Sequence, residues 1–404
     1  MSIGGISIEQ ALASLSDMTA GMVAIGKDEH AQRIARAQDF MREQGIAAIY
    51  LNAGANLTYF TGTKWYASER MVGAILPASG KIEYIAPAFE ESTLTGFMLI
   101  EGKVNCWEEH ESPYQLFVDV LARMGIAQDA NQPPRVGLCE SAAFFIYDGI
   151  RPAAPGYALE NARAVTAYCR SRKSAAEIAL MQRVMDMTLA VHVATASMLV
   201  EGITTVEVEE FIQRAHRKVG APRSYFCIVL FGEATAYPHG VNYVQTLKAG
   251  DTVLIDTGCQ VMNYISDITR TYVFGTISAR QRSVWNSEKA AQAAAFAAAQ
   301  LGVPCGDVDR AARVSLEADG FGPGYKLPGL PHRTGHGLGM DIHEEPYIVR
   351  GNRTALQPGM CFSIEPMLCV YGECGVRLED IVYMAADGPH WFCPPSQSLD
   401  HPFG

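Results

Sequence analysis

Acidic residues set inside strand-like apolar runs constrain this chain more than any other feature. Val253-Leu254-Ile255-Asp256 and Phe362-Ser363-Ile364-Glu365 each run into a carboxylate, and Asp267, His336 and Glu379 stand in comparable glycine-punctuated stretches. Segments of that composition pack into a core, where a carboxylate is rare unless a partner offsets its desolvation. A pair of divalent cations would offset all five.

The spacing predicts how the five meet. Asp256 is expected to close a strand, Thr252 to Ile255, and Asp267 to open the next, Asp267 to Val273, after a turn at Met262-Asn263. Such a hairpin brings both carboxylates to one end of a sheet. Glu365 and Glu379 show the same layout, flanking strands separated by Val370-Tyr371-Gly372-Glu373, with His336 on a strand between the two hairpins. Four carboxylates and one imidazole suit Mn, Zn, Co or Fe in a paired site better than sulfur-rich sets do. Two metals about 3.5–4 Å apart need bridging carboxylates, which this set can supply.

Bulk properties narrow the rest. With 404 residues, 49% of them hydrophobic and 19% charged, the chain exceeds what a single core ordinarily accommodates, so two domains are expected. A net charge of -11 with no basic stripe argues against nucleic acid and anionic lipid and leaves a small molecule or peptide as substrate. No apolar run approaches the roughly 20 residues needed to cross a bilayer, and Glu9, Asp17 and Asp28 interrupt the start where an export signal would be basic and then apolar. A cytoplasmic protein is expected. The 10 cysteines lack CxxC spacing and read as buried thiols of a reducing compartment.

Residues 1–168 read as an α/β domain. Glu29 to Gln44 has helical apolar spacing and Ala47 to Leu51 reads as a buried strand. Met71 to Leu76 and Lys81 to Ala86 flank the turn Pro77-Ala78-Ser79-Gly80, as in a hairpin. Residues 169–404 form the second domain, opened by a capping box, Ser174 with Glu177, ahead of a helical face of Ile178, Met181, Met185 and Leu189. Further helices are expected at Thr205 to Val219, Ala279 to Leu301 and Val308 to Asp319. The remaining glycine-joined strands carry all four acids and the one histidine, which predicts an α+β domain with helices on one face of a curved, mostly antiparallel sheet.

Motifs of other enzyme classes are missing. Gly335-His336-Gly337-Leu338-Gly339 has its third glycine one residue too early for a dinucleotide loop and no helical pattern after it. HExxH, GxSxG and GxxxxGKS/T do not occur.

Four motifs in order carry a family resemblance: Asp256-Thr257-Gly258 with Ser266-Asp267-Ile268-Thr269-Arg270-Thr271; Gly335-His336-Gly337 with His343-Glu344-Glu345-Pro346; Ile364-Glu365-Pro366; and Arg377-Leu378-Glu379-Asp380. Residues 170–404 resemble the metallopeptidase family M24, which contains methionine aminopeptidase, aminopeptidase P and prolidase and has a pita-bread catalytic domain. The resemblance implies that Asp256 binds one metal, Asp267 and Glu379 bridge two, and His336 with Glu365 completes the second. It implies attack by a metal-bridging hydroxide, with Glu365 moving the proton. His343, and His239 in Tyr237-Pro238-His239-Gly240, would polarise the substrate carbonyl or hold its carboxylate.

The first domain resembles the creatinase-like amino-terminal domain of prolidases and aminopeptidase P. Tyr59-Phe60-Thr61-Gly62 and Ser68-Glu69-Arg70 look like bacterial Xaa-Pro dipeptidases, so cleavage of Xaa-Pro dipeptides is the leading expectation. The alternatives are an Xaa-Pro aminopeptidase, a dimethylsulfoniopropionate lyase-like or ectoine hydrolase-like enzyme, and a catalytically dead binding module. Lyase relatives tend to carry an extra aspartate near the first ligand, where this chain has Gly258. A dipeptide's carboxylate calls for a cation, and Arg350, Arg353 and Arg377 stand as candidates beside His239; Arg377 could instead support the adjacent ligands. The resemblance also implies a homodimer, in which Trp65 and Tyr66 would either wall the partner's pocket or pack within their own domain.

Overall fold

The computed structural model describes residues 3–403, which form two compact units, residues 25–170 and residues 3–24 with 171–403. The first unit is built on a six-stranded sheet in the order Lys103–Trp107, Glu83–Pro87, Gly73–Pro77, Ile46–Asn52, Arg135–Leu138, Ala158–Asn161. Gly73–Pro77 is antiparallel to both neighbours, which gives the expected hairpin, and the other pairs are parallel. The helix Lys27–Gln44 turns Ala37 and Met41 inward and stops at Gly45, whose φ of 67° suits a residue without a Cβ. Tyr59-Phe60-Thr61 falls on the buried helix Ala55–Thr61, and Arg36 donates to the Tyr59 hydroxyl at 2.7 Å. Trp65 packs on Phe97 of its own unit with ring centroids 6.1 Å apart, and Tyr66 is 75% exposed.

In the second unit the capping box forms as expected. The Ser174 hydroxyl accepts from the Glu177 amide and the Glu177 carboxylate accepts from the Ser174 amide, opening the helix Ala175–Met198. Helices Thr205–Lys218, Ala279–Ala298 and Cys305–Ala318 follow near their expected places. Two sheets lie among them. One places Thr252–Val261 between Ser224–Phe231 and Ile268–Val273; the other runs Glu344–Ile348, Gly335–Gly337, Cys361–Ile364, Asp380–Ala385, Gly388–Trp391, and every pairing in both is antiparallel. A bridge between Thr269 and Glu379 joins them, and the hairpin of Met367–Val370 with Cys374–Arg377 stands apart.

Two expectations need correction. The division at 168/169 falls at 170/171, and residues 3–24 belong to the second unit rather than the first. The physical reason is burial: a short capped helix, Ile8–Ala13, inserts Ala11, followed by Leu15, into the cluster of Val184, Val191 and Val219. Its polar sequence context concealed this. The strand expected at Thr252 to Ile255 continues to Val261, so Asp256 lies mid-strand; the turn at Met262 and Asn263, both with positive φ, is where the residues placed it.

Among the described residues no helix is long and apolar enough to cross a membrane. All 10 cysteines are free thiols, and burial pushes Cys361, beside the ligand strands, up to about 12.

Candidate metal centre and active-site cleft

The Thr252–Val261 strand is covered on both faces. Val253 and Ile255 enter one apolar cluster and Leu254 the other, so side-chain alternation places Asp256 on the Leu254 face, toward the second sheet. Burying three such side chains stabilises the strand by roughly 1.5–3 kcal/mol each, enough to hold a buried carboxylate in place. Asp267 immediately precedes Ile268–Val273, whose register sets Ile268 opposite Thr257 and Thr269 opposite Asp256. The strands close tightly at Gly258, where a Cβ would lie 1.8 Å from the Ser266 carbonyl oxygen. Any side chain at 258, an extra aspartate included, is sterically excluded from this hairpin.

The second sheet supplies the other ligands. Ile364 pairs with Asp380, so Glu365 and Glu379, each one residue beyond its strand, emerge at the same end. His336 is the centre of Gly335–Gly337, and Gly335 allows close approach because a Cβ there would meet the Ser363 carbonyl oxygen at 1.9 Å. The His336 Nε2 lies 3.1 Å from Glu365 Oε1, 3.6 Å from Asp267 Oδ2 and 3.9 Å from Glu379 Oε1. With Nδ1–H donated to the Gly337 carbonyl at 3.1 Å, Nε2 is the ring nitrogen that faces the carboxylates.

The centre is a buried acidic cluster at the floor of a cavity. Burial first, and then the neighbouring carboxylates, raise Asp267 and Glu379 well above the usual range; burial also raises Asp256, against the pull of Arg377. Glu365 runs the other way: burial would raise it, but His336, His332 and Arg377 draw it down to about 2. Asp256 Oδ1 and Glu379 Oε1 are buried without any hydrogen-bond partner, while Thr269 Oγ1 donates to Glu379 Oε2 at 2.7 Å. Donor atoms of Asp267, His336 and Glu379 lie within 4.8 Å of one another. Orphaned buried oxygens among mutually repelling carboxylates, with one imidazole nitrogen aimed at them, fit divalent cations by charge and by donor type.

Arg377 is spoken for. Its Nη2 donates to Asp256 Oδ2 at 2.6 Å and its Nε to Thr269 Oγ1 at 3.2 Å, both buried, and its Nη1 donates to the Pro238 carbonyl at 3.0 Å, which is part-buried. That geometry orients a ligand and leaves little to offer a substrate. Arg350 and Arg353 are not brought to the centre: the chain turns out to solvent after Ile348, and both line a separate cleft beside the Cys305–Ala318 helix.

A cavity of about 710 Å³ opens onto the five ligands, and His239, His343 and Arg377 also line it. Burial, then His336 and Arg333, lower His343 to about 4, so its imidazole is neutral at pH 7. Reading the residues alone missed His332, Arg333 and an apolar wall of Tyr225, Phe226, Ile228 and Ile342. The Arg333 guanidinium lies over the Tyr347 ring at 4.6 Å. The run Pro331-His332-Arg333-Thr334 just ahead of Gly335-His336-Gly337 was the available signal.

Comparison with known proteins identifies the family. The model described as metallopeptidase family M24 matches residues 179–386, and the creatinase/prolidase N-terminal domain matches residues 33–172. The chain belongs to metallopeptidase family M24. It is 32% identical to a putative dipeptidase, YkvY, of Bacillus subtilis, over 88% of this chain and 96% of that one. A probable dipeptidase, PepE, of Mycobacterium tuberculosis is 33% identical over 89% of this chain and 93% of its own. Among solved structures, the dipeptidase PepE from Mycobacterium ulcerans superposes with a TM-score of 0.84 at 31% identity, covering 92% of this chain and 97% of that one. A prolidase from Thermococcus sibiricus gives 0.81 at 29%, covering 90% and 96%. The second unit thus has the family's pita-bread fold, and the first is a creatinase-like domain. Membership implies divalent metal ions, and the buried Asp, His and Glu cluster is where they fit.

Proposed function

We propose that the protein is a metal-dependent Xaa-Pro dipeptidase. One observation carries the reading: a cavity of about 710 Å³ joins a buried five-ligand centre to a guanidinium, Arg333, held against the Tyr347 ring. The names of the relatives, dipeptidases and a prolidase, support the same substrate class. A proline nitrogen has no N–H, so backbone pairing of the strand type loses a donor at the scissile bond. Recognition then falls on the two ends of a short substrate, the amine at the acidic centre and the carboxylate at a cation. Arg333 is suited to the carboxylate because guanidinium pairs with it bidentately, and the apolar wall from Tyr225 to Ile228 would take the side chain of Xaa.

Asp256, Asp267, His336, Glu365 and Glu379 would hold two divalent ions, with manganese the first expectation for so oxygen-rich a set. Bound there, such ions supply Lewis-acid activation of water and carbonyl. Glu365, whose Oε1 accepts from Ser363 Oγ at 3.1 Å, would take a proton from the attacking water and return it to the leaving nitrogen. Neutral His343 offers one N–H to the carbonyl oxygen as charge develops on it, and His239 stands at the same mouth.

Metal-reconstituted protein should be assayed on Xaa-Pro dipeptides, Xaa-Pro tripeptides and dimethylsulfoniopropionate. Fast cleavage of the dipeptides alone is expected, with Arg333→Ala raising KM by about 10²-fold through loss of a charge-assisted pair. Preference for tripeptides would replace the reading with an aminopeptidase. The steric exclusion at Gly258 predicts no lyase activity.

A further inference from the structure

The Cys305–Ala318 helix carries a buried ion pair that the hydrolytic chemistry does not use. Asp309 and Arg313 lie one turn apart, are 0% and 3% exposed, and meet through two contacts, Nε to Oδ2 at 2.8 Å and Nη2 to Oδ1 at 3.2 Å. Coulomb attraction alone seldom repays the desolvation of such a pair; further hydrogen bonds must satisfy the remaining donors and lone pairs.

Those further partners all belong to one segment. Arg313 Nη1 donates to the carbonyls of Gly324 at 2.8 Å and Leu330 at 3.1 Å, and Nη2 donates to that of His332 at 2.6 Å. Asp309 Oδ1 accepts from the Thr334 amide at 3.2 Å and from its hydroxyl at 2.8 Å. The Tyr325 ring covers the Arg313 guanidinium at 4.1 Å. Residues 319–334 contain neither helix nor strand; a bridge of Gly329 with Cys369 and the Thr334 amide on the Ile348 carbonyl at 3.0 Å hold parts of them, and a connection of that length ordinarily moves where it is not held. This one delivers Pro331, His332 and Arg333 to the cleft, and the Thr334 carbonyl accepts from the Glu365 amide at 2.8 Å.

We propose that Asp309 and Arg313 are positioning residues: as a strut behind the cleft they fix the His332–Thr334 backbone and thereby set where the Arg333 guanidinium meets the substrate carboxylate. The inference rests on the substrate role given to Arg333 above. Bidentate pairing is directional, so a displaced backbone costs recognition even when the guanidinium is intact.

Arg313→Lys keeps the charge but removes the fork, and Thr334→Val removes only one hydroxyl contact. Each is compared with wild type on an Xaa-Pro dipeptide and on the same dipeptide amide, which lacks the carboxylate. For Arg313→Lys, KM for the free acid should rise about tenfold with kcat within threefold, and KM for the amide should stay put. Amide hydrogen exchange across residues 324–334 should accelerate while Thr252–Val261 stays protected. Thr334→Val should show smaller changes of the same sign, which covers the case in which Arg313→Lys folds poorly. Equal losses on acid and amide, or unchanged exchange across residues 324–334, would overturn the strut. Failure of the substrate reading is seen separately, because Arg333→Ala would then leave the acid-to-amide ratio unaltered.

Discussion

Replacing Arg377 by lysine separates the two jobs that a guanidinium beside the centre could perform. The native side chain orients Asp256 through a 2.6 Å bond and is itself fixed by Thr269 Oγ1 and the Pro238 carbonyl. A lysine has no planar fork and cannot keep all three. Loss of the charge-assisted bond to a buried carboxylate costs about 1.5–3 kcal/mol. If that cost appears as disorder of a ligand, divalent-ion affinity falls roughly 10- to 100-fold, the range usual for residues that orient metal ligands, which is about 1.4–2.8 kcal/mol. The two estimates coincide because they describe one bond. Calorimetric titration of metal-stripped wild type and Arg377→Lys with Mn²⁺ measures the loss, and KM at saturating metal should move less than twofold. Unchanged Mn²⁺ affinity with a KM for Xaa-Pro raised tenfold or more would refute the argument and make Arg377 the substrate anchor.

Glu365→Gln should lower kcat by about 10²–10⁴-fold, and the loss should persist at saturating Mn²⁺; full recovery there would leave Glu365 a ligand only. The acidic centre also predicts a pH dependence. Asp256, Asp267 and Glu379 have raised values in the metal-free fold, so they bind protons more tightly folded than unfolded. Their contribution to metal-free stability is therefore fully present below the ordinary carboxylate value of about 4 and is lost as pH rises through the raised values. Cations displace those protons, so the rise in Tm on adding Mn²⁺, read by calorimetry, should grow with pH above about 4; a pH-independent rise would contradict this. Glu365, held near 2, contributes in the opposite sense, its stabilisation fading as pH falls through that value. Sedimentation should give a dimer mass if the homodimer implied by the family resemblance holds.

Residues whose chemistry conflicts with their surroundings were the most legible in the sequence. Asp256 and Glu365 stand out because apolar strands do not take carboxylates without a reason, and Asn263 marks the turn because asparagine tolerates positive φ, whereas nothing in the residue type of Met262 announces its own φ of 49°. The helices announced themselves through caps such as Ser174 with Glu177. Contacts decided only by tertiary packing were hidden. Arg333 and Arg350 are indistinguishable as arginines near a histidine motif, yet one lines the cleft and the other lies at a separate surface because the chain turns outward after Ile348. Ala11 and Leu15 carry no signal of their own in the sequence, and their burial depends on a helix far along the chain.

The central claim, that buried acids and one imidazole hold the ions that hydrolysis requires, is tested most directly by metal stoichiometry measured alongside turnover. Elemental analysis of protein reconstituted with Mn²⁺ should find two ions per chain, and Asp267→Asn should lose bound metal and Xaa-Pro cleavage together. Full activity in Asp267→Asn with unchanged metal content would contradict the account.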